Sequence, residues 1–305
     1  MIESPPEHKQ HAHMAGIVSL SGQPLDFNFE WPDCMMPISK DYTAVERAVA
    51  ECVYAGCETI WVVCNKDIQP LVKYRIGDYA EDPAYVSRKF AVNPRDHKKE
   101  VPIFYVPVHP NDRFRRDSLG WGVLYGALSA YYTTKQISKW VVPEKFYAAF
   151  PYGIYDPAIL RDYKADITRE ERFFLSFCGQ TVKDGLYLGF TFNAEDFKRF
   201  RKHVRAAGTG IYVPGQTGED LIDGKYPTKK LPIEERWSAQ HFTLDKVFGS
   251  AIIEKAKVNE LSWYHGIDSW ESYSDFIASG NKLERPSHIL TKKTMNRLWF
   301  TGEAK

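Results

Sequence analysis

The sequence predicts an α/β protein built on a doubly wound, mostly parallel sheet. Three observations predict it. Short apolar, β-rich segments alternate along the chain with helical stretches. One of them, Glu58-Thr-Ile-Trp-Val-Val-Cys64, is a continuous apolar run, the pattern of a strand buried on both faces of a parallel sheet. The chain of 305 residues is 44% hydrophobic and 26% charged, enough apolar material for a large single core.

The first strand is Gly16-Ile-Val-Ser-Leu20, which feeds a turn, Ser21-Gly22-Gln23-Pro24. After an aromatic, acidic loop, Asp41 to Cys57 reads as an amphipathic helix with Ala44, Ala48, Val49, Cys52 and Val53 on one face. Asp41 or Thr43 suits its start and Gly56 its end. The apolar run to Cys64 completes a β-α-β unit, which implies a right-handed crossover. Ile103–Val108 is a further strand, and the helix Leu119–Lys135 follows the charged loop HPNDRFRRDS. Lys145–Phe150 reads as a central strand, Gly185–Phe192 as another, Asp196–Arg205 as a charged helix and Leu244–Ala256 as a short one. Residues 206–237 are rich in Gly, Pro and charge and read as an insertion. The expected organisation is a flexible polar leader over 1–15, one α/β domain over 16–280 and an extension over 281–305.

A net charge of +1 gives no general pull toward nucleic acid or a membrane. No segment has the roughly 18 uninterrupted apolar residues of a membrane span. The five cysteines, Cys34, Cys52, Cys57, Cys64 and Cys178, form no CxxC pair, so neither a disulfide framework nor a zinc site is expected. Reduced thiols in a cytoplasmic protein are expected instead. His8, His11 and His13 read as part of the solvated leader, since nothing nearby would fix a metal's geometry.

The order of these segments resembles the sugar-1-phosphate nucleotidyltransferases, the nucleotide-sugar pyrophosphorylases with a GT-A-like, Rossmann-related fold. GIVSLSGQP, WPDCMMPI, AVERAVAECVYAG and ETIWVVCN follow one another as that family's opening strand and Gly-rich loop, Pro-Lys and (M/L)LP(I/V) segments, helix and Val-rich strand do. LGWGVLYGALSAY, GLYLGFTFNAEDF and GIDSWESYSDF are similar to its later elements. The resemblance covers roughly 16–200 and 244–280. It implies transfer of a nucleotidyl group from a nucleoside triphosphate to a sugar phosphate, release of pyrophosphate, and Mg²⁺ as charge clamp. It also allows a homo-oligomer.

This chain departs from the family pattern where the pattern carries charge. Gln23 and the pair Pro32-Asp33 stand where the family has a loop Arg and a Pro-Lys pair. Such transfer relies on positive charge against an anionic transition state. Arg113, Arg115 and Arg116, ahead of a helix whose N-terminus lies near Gly120, are the candidate replacements, with Lys183 as a further one. The competing reading pairs these arginines with Asp112 and Asp117 on a solvated loop. Ser19, Leu20, Ser21, Gly22 and Gln23 would meet the nucleotide through backbone and short polar groups. Asp156 and Asp268, each displaced by a few positions from the family's metal carboxylates, are the candidate metal ligands.

Other constellations are weaker. Lys40 is a distant substitute for the missing lysine, His265 with Asp268 would be a base and its orienter, and Lys198–Arg205 reads as the wet face of a helix. Trp31, Trp121, Trp263 and Trp270 read as packing residues before they read as base-stacking ones. Two alternatives accompany the nucleotidyltransferase reading. One is a catalytically inactive relative serving as a binding or structural subunit. The other is a nucleotide-sugar-dependent glycosyltransferase, which the missing Asp-x-Asp element after the central strand disfavours.

Overall fold

The computed structural model describes residues 13–20, 32–81, 100–109, 111–112, 117–137, 142–209, 211–212, 228–229 and 242–286. The first β-α-β unit forms as its sequence predicts. Strand β1 (Met14–Ser19) leads through a small hairpin, β2 (Pro37–Ser39) and β3 (Tyr42–Thr43), into helix α1 (Ala44–Ala55) and then β4 (Thr59–Cys64). Thr43 caps α1 in a capping box, its N–H and hydroxyl each donating to Glu46 Oε2 at 2.9 Å. The helix ends where Gly56 turns left-handed at φ 91°, with Cys57 N–H returning to the Cys52 carbonyl.

Helix α2 (Gln69–Ile76) and strand β5 (Tyr79–Glu81) follow, then β6 (Glu100–Pro107), α3 (Leu119–Ile137), β7 (Lys145–Ala149) and β8 (Gly153–Ile154). Helix α4 (Leu160–Arg169) leads to β9 (Phe173–Ser176) and β10 (Phe190–Asn193). Beyond them lie α5 (Ala194–Thr209), β11 (Ile211–Tyr212), β12 (Thr228–Lys229), α6 (Leu244–Phe248), β13 (Lys257–Glu260), β14 (His265–Gly266) and α7 (Trp270–Ala278).

Eight strands make one sheet in the order β13-β9-β10-β7-β1-β4-β6-β5. β7, β1, β4 and β6 are mutually parallel, β10 runs antiparallel between β7 and β9, and β5 closes the far edge antiparallel to β6. This is the α/β, mostly parallel, doubly wound architecture that the sequence predicts. Alternate residues of each strand enter one of two cores. Val18, Ile60, Val62, Tyr147 and Ala149 face α1, while Ile17, Trp61, Val63, Phe146 and Ala148 face α3 and α6. A Cβ on Gly126 would lie 2.7 Å from both Ile17 Cγ2 and Val63 Cγ2, so glycine lets α3 settle onto β1 and β4.

Several expectations need correction. The strand expected over Gly185–Phe192 is reduced to β10, because the Tyr187 N–H goes to the Tyr264 hydroxyl rather than to a neighbouring strand. The helix expected over Leu244–Ala256 stops at Phe248, where Gly249 makes the last helical bond, to Asp245. The charged helix starts at Ala194, since Asn193 Oδ1 caps Glu195 and Asp196, and it runs into the expected insertion as far as Thr209. Most of 206–237, the leader to residue 12 and the tail from 287 lie outside the described residues.

Candidate functional site

The chain adds β4 and β6 on one side of β1, then returns to place β7 on the other. In doubly wound sheets a crevice opens at such a reversal, beyond the carboxyl ends of the strands. The residues there are Ser19, the last of β1, and Leu20 beyond it, Asn65 after β4, the start of α3, and the strap Phe150–Tyr155 that joins β7 to β8 and its flank.

Each strand end is fixed. Leu20 N–H donates to the Val63 carbonyl at 2.8 Å and Val108 N–H to the Cys64 carbonyl at 3.0 Å. Buried Ser19 points its hydroxyl at the Leu119 carbonyl, 2.9 Å away, so its side chain ties β1 to α3. Asn65 Nδ2 donates to Asp117 Oδ2 at 2.9 Å, and Ser118 Oγ accepts the Trp121 N–H at 3.4 Å. Ser118 is therefore the cap of α3, and Asp117 joins that helix's entrance to the end of β4.

The opposite wall is tyrosine. Tyr187 sits with its ring centre 5.9 Å from Tyr152 and 6.5 Å from Phe150. A Cβ on Gly153 would collide with the Tyr187 carbonyl, so only glycine lets the two segments meet. Tyr264 reaches in from the last part of the chain to accept the Tyr187 N–H at 2.9 Å. Burial pushes the Tyr152 hydroxyl pKa well up, reinforced by Cys34, Asp33, Tyr187 and Asp117 around it. Burial does the same at Tyr187, with Asp268 adding to it. At pH 7 these hydroxyls are neutral donors and acceptors, suited to polar groups of a ligand. Burial also raises the Cys34 and Cys64 thiols to about 12, which leaves them unreactive.

Part of the expected set of site residues lies among the described residues. Ser19 and Leu20 end β1 at the crevice. Ser21, Gly22, Gln23, Arg113, Arg115 and Arg116 lie outside the described residues, as does Trp31. The space over Gly120 is filled by Val247 and the Phe242 carbonyl, so this glycine packs α3 against α6. Lys183, half-buried, is in the turn Val182–Asp184 capped by Thr181, on the chain that leads to Tyr187. Lys40 is exposed in the β2–β3 turn.

Asp156 is exposed and accepts the Ala158 N–H at 2.9 Å, capping the turn before α4. Asp268 is exposed too, and Ser272 at the start of α7 donates to its carboxylate at 3.2 Å. Among the described residues no three His, Cys, Asp or Glu side chains gather as a metal site. Mg²⁺ demands near-octahedral oxygen coordination. It is commonly held by one or two carboxylates with waters and substrate phosphates, and here Asp156 is engaged by the Ala158 N–H and Asp268 by the Ser272 hydroxyl. His265 has Asn281 rather than Asp268 as its partner, Nε2 lying 3.0 Å from Asn281 Nδ2. Burial lowers its pKa.

Sequence reasoning missed the tyrosine wall and the pair beneath it. Arg47 and Glu51 fall on what reads as the polar face of α1, yet both are fully buried. The strings PYGIYDP and GLYLGF, each joining tyrosine to glycine, were the available signal. All five cysteines are free thiols. No helix among the described residues is long and apolar enough to cross a membrane.

No protein-family model matches the chain, and no curated protein does. Solved structures do resemble it. A UDP-glucose pyrophosphorylase complexed with UDP-glucose is similar at a TM-score of 0.49 and 13% identity, over 88% of this chain and 98% of that one. A putative glucose-1-phosphate thymidylyltransferase from Bacillus anthracis, in complex with a sucrose, gives 0.48 and 10% over 89% and 96%. A 4-diphosphocytidyl-2C-methyl-D-erythritol synthase from Anaerococcus prevotii gives 0.46 and 11% over 88% and 96%. The likeness is one of fold.

Proposed function

We propose that this chain is a nucleotidyltransferase-like protein that holds a nucleotide, as a nucleoside triphosphate or a nucleotide sugar, in the crevice between β1 and β7. The observation that carries the reading is the strand reversal at β1, which opens a crevice where α3 begins. The first turn of that helix favours negative charge. Arg113, Arg115 and Arg116, just before it in the chain, would supply the grip on phosphate that the family places elsewhere. Lys183 would stand on the opposite side. Ser21, Gly22 and Gln23, after β1, would offer backbone N–H groups, and the tyrosine wall would receive the base or sugar.

Transfer would form a bond from the α-phosphorus to a sugar phosphate oxygen and break the bond to pyrophosphate. A second reading, a non-catalytic binding relative, is favoured by one observation: the candidate metal carboxylates are engaged within the chain, Asp156 by the Ala158 N–H and Asp268 by the Ser272 hydroxyl. No step is assigned to a metal.

A thermal-shift panel of the four ribonucleoside triphosphates, dTTP and UDP-glucose, with and without Mg²⁺ or Mn²⁺, tests binding. A coupled assay for pyrophosphate release separates the two readings. A base-selective shift with pyrophosphate release supports transfer, and a shift without release supports the binding relative. A flat panel would refute the proposal.

A further inference from the structure

Arg47 and Glu51 stand one turn apart on α1, and neither side chain reaches water. The Arg47 guanidinium pairs with Glu51 at 2.9 Å and lies 4.7 Å from the centre of the Tyr155 ring. Through Nη2 it donates to the Phe150 carbonyl. Glu51 in turn accepts the Tyr147 hydroxyl at 2.8 Å. Tyr147, Phe150 and Tyr155 all belong to one stretch, the end of β7 and the strap beyond it. The ion pair is thus a post beneath that strap. From outside, Ile267 N–H donates to the Tyr152 carbonyl at 2.8 Å, and β14 pairs with β8. Tyr152, in the middle of the strap, is held between the two.

Packing alone does not require such a post. Replacing a buried ion pair by apolar residues of similar volume is often neutral or stabilising. A guanidinium offers what an apolar side chain does not: donors for a carboxylate and a backbone carbonyl together, and a flat face for an aromatic ring. Its reach to the Phe150 carbonyl places it at the end of β7, on the edge of the crevice.

We infer that Arg47 is a positioning residue for the crevice: through the Phe150 carbonyl it fixes the strap 150–155, and with it Tyr152, in the conformation that receives the ligand. The inference rests on the crevice being the binding site, as proposed above. Lysine at this position would keep a cation beside Glu51 but has neither the fork nor the flat face.

The test sets R47K beside R172K. Arg172 forms another buried pair, Nε to Asp196 Oδ2 at 2.8 Å, just before β9 and so at the opposite end of the strands from the crevice. Both variants are expected to melt at lower temperature. Only R47K is expected to raise amide hydrogen exchange over Tyr152–Ile154, by tenfold or more. Only R47K is expected to weaken binding of UDP-glucose and UTP, by about tenfold, at a temperature where both variants are folded. Exchange over Tyr152–Ile154 equal to wild type in R47K overturns the positioning role, whatever happens to binding. A rise in exchange with unchanged affinity also overturns it, since the strap would then not serve the site. A wild-type protein that binds neither probe refutes the proposed function and the crevice role together, while exchange still decides whether Arg47 holds the strap. Should R47K not fold, E51Q keeps an acceptor for Tyr147 and Arg47 and removes the charge. It is expected to raise exchange over the same residues by a smaller factor, and no rise there overturns the inference.

Discussion

Lys145 should delay the alkaline loss of stability. It opens β7 with only 7% of its surface exposed, and its ammonium donates to the Ile167 and Glu170 carbonyls at the end of α4. Burial lowers its pKa from 10.5 to about 8, with Glu170 and Glu171 opposing the change. The unfolded chain keeps this proton to about pH 10.5, so between pH 8 and 10.5 the unfolded state binds more protons and stability rises with pH. The full effect over that interval is about 3 kcal/mol, and the part gained from pH 8 to 9 is about 1 kcal/mol.

Cys34 and Cys64 act in the opposite direction. Burial raises both from 9.0 to about 12, so the stability they contribute is complete below pH 9 and is lost above it. Cys52, also raised by burial, joins them. Three thiols outweigh one ammonium above about pH 8.5, and buried tyrosines such as Tyr152 and Tyr187 add to the loss, so stability should fall beyond pH 9 by at least about 2 kcal/mol per pH unit. Urea unfolding followed by circular dichroism, in steps from about pH 7.5 to 10.5 with reductant present, reads the profile. The wild type should stay nearly level from about pH 7.5 to about 8.5 before it falls, and Lys145→Met, which lacks the opposing ammonium, should fall further than the wild type by about 1 kcal/mol between pH 8 and 9. A Lys145→Met profile that runs parallel to that of the wild type from about pH 8 to 9 would refute the reasoning.

Three further outcomes follow from the geometry. Gly153→Ala would drive a methyl group into the Tyr187 carbonyl. It should cost about 1–3 kcal/mol in urea unfolding and perturb ligand binding in the same variant. Glu46→Gln removes the charge that Arg75 and Arg285 approach at 2.9 and 3.0 Å, and should cost about 2–3 kcal/mol by the same assay. Asp156→Ala removes a cap, should cost about 1 kcal/mol, and should leave any metal-dependent shift in the ligand panel unchanged. Loss of that shift would return Asp156 to the metal role expected from the sequence.

The parts of the fold that sequence made legible are those whose pattern is local. The continuous apolar run ending at Cys64, the capping box at Thr43 and the left-handed Gly56 each state their structure within a few residues. Helix α4 was missed because only Leu160 and Ile167 of its ten residues are buried. β13 was missed because its residues KVNE lack a buried face to announce it. Gly185–Leu188 reads as strand by composition, yet the Tyr187 N–H goes to the Tyr264 hydroxyl instead of a neighbouring strand. The site was legible as a place, the ends of β1 and β7, and less so as a set of side chains. Asp156 and Asp268 look like metal carboxylates by proximity in sequence, but each is turned to the N-terminus of a helical segment. Arg47 and Glu51 look solvated, and only the packing of α4 and the β7–β8 strap over α1 buries them.

The central claim is that a nucleotide binds in the crevice and that the arginines before α3 grip its phosphates. Calorimetric titration of UTP into the wild type and into R115A/R116A tests it, supported by the melting temperature of each. At about 100 times its dissociation constant a ligand stabilises the fold by about 2.7 kcal/mol. With an unfolding entropy of about 2.1 cal/mol/K per residue, that is about 4 °C for this chain of 305 residues. The account predicts a titration and a shift of that size in the wild type, and neither in the folded double variant. Equal binding by the two proteins, or no binding by the wild type across the nucleotide panel, would contradict it.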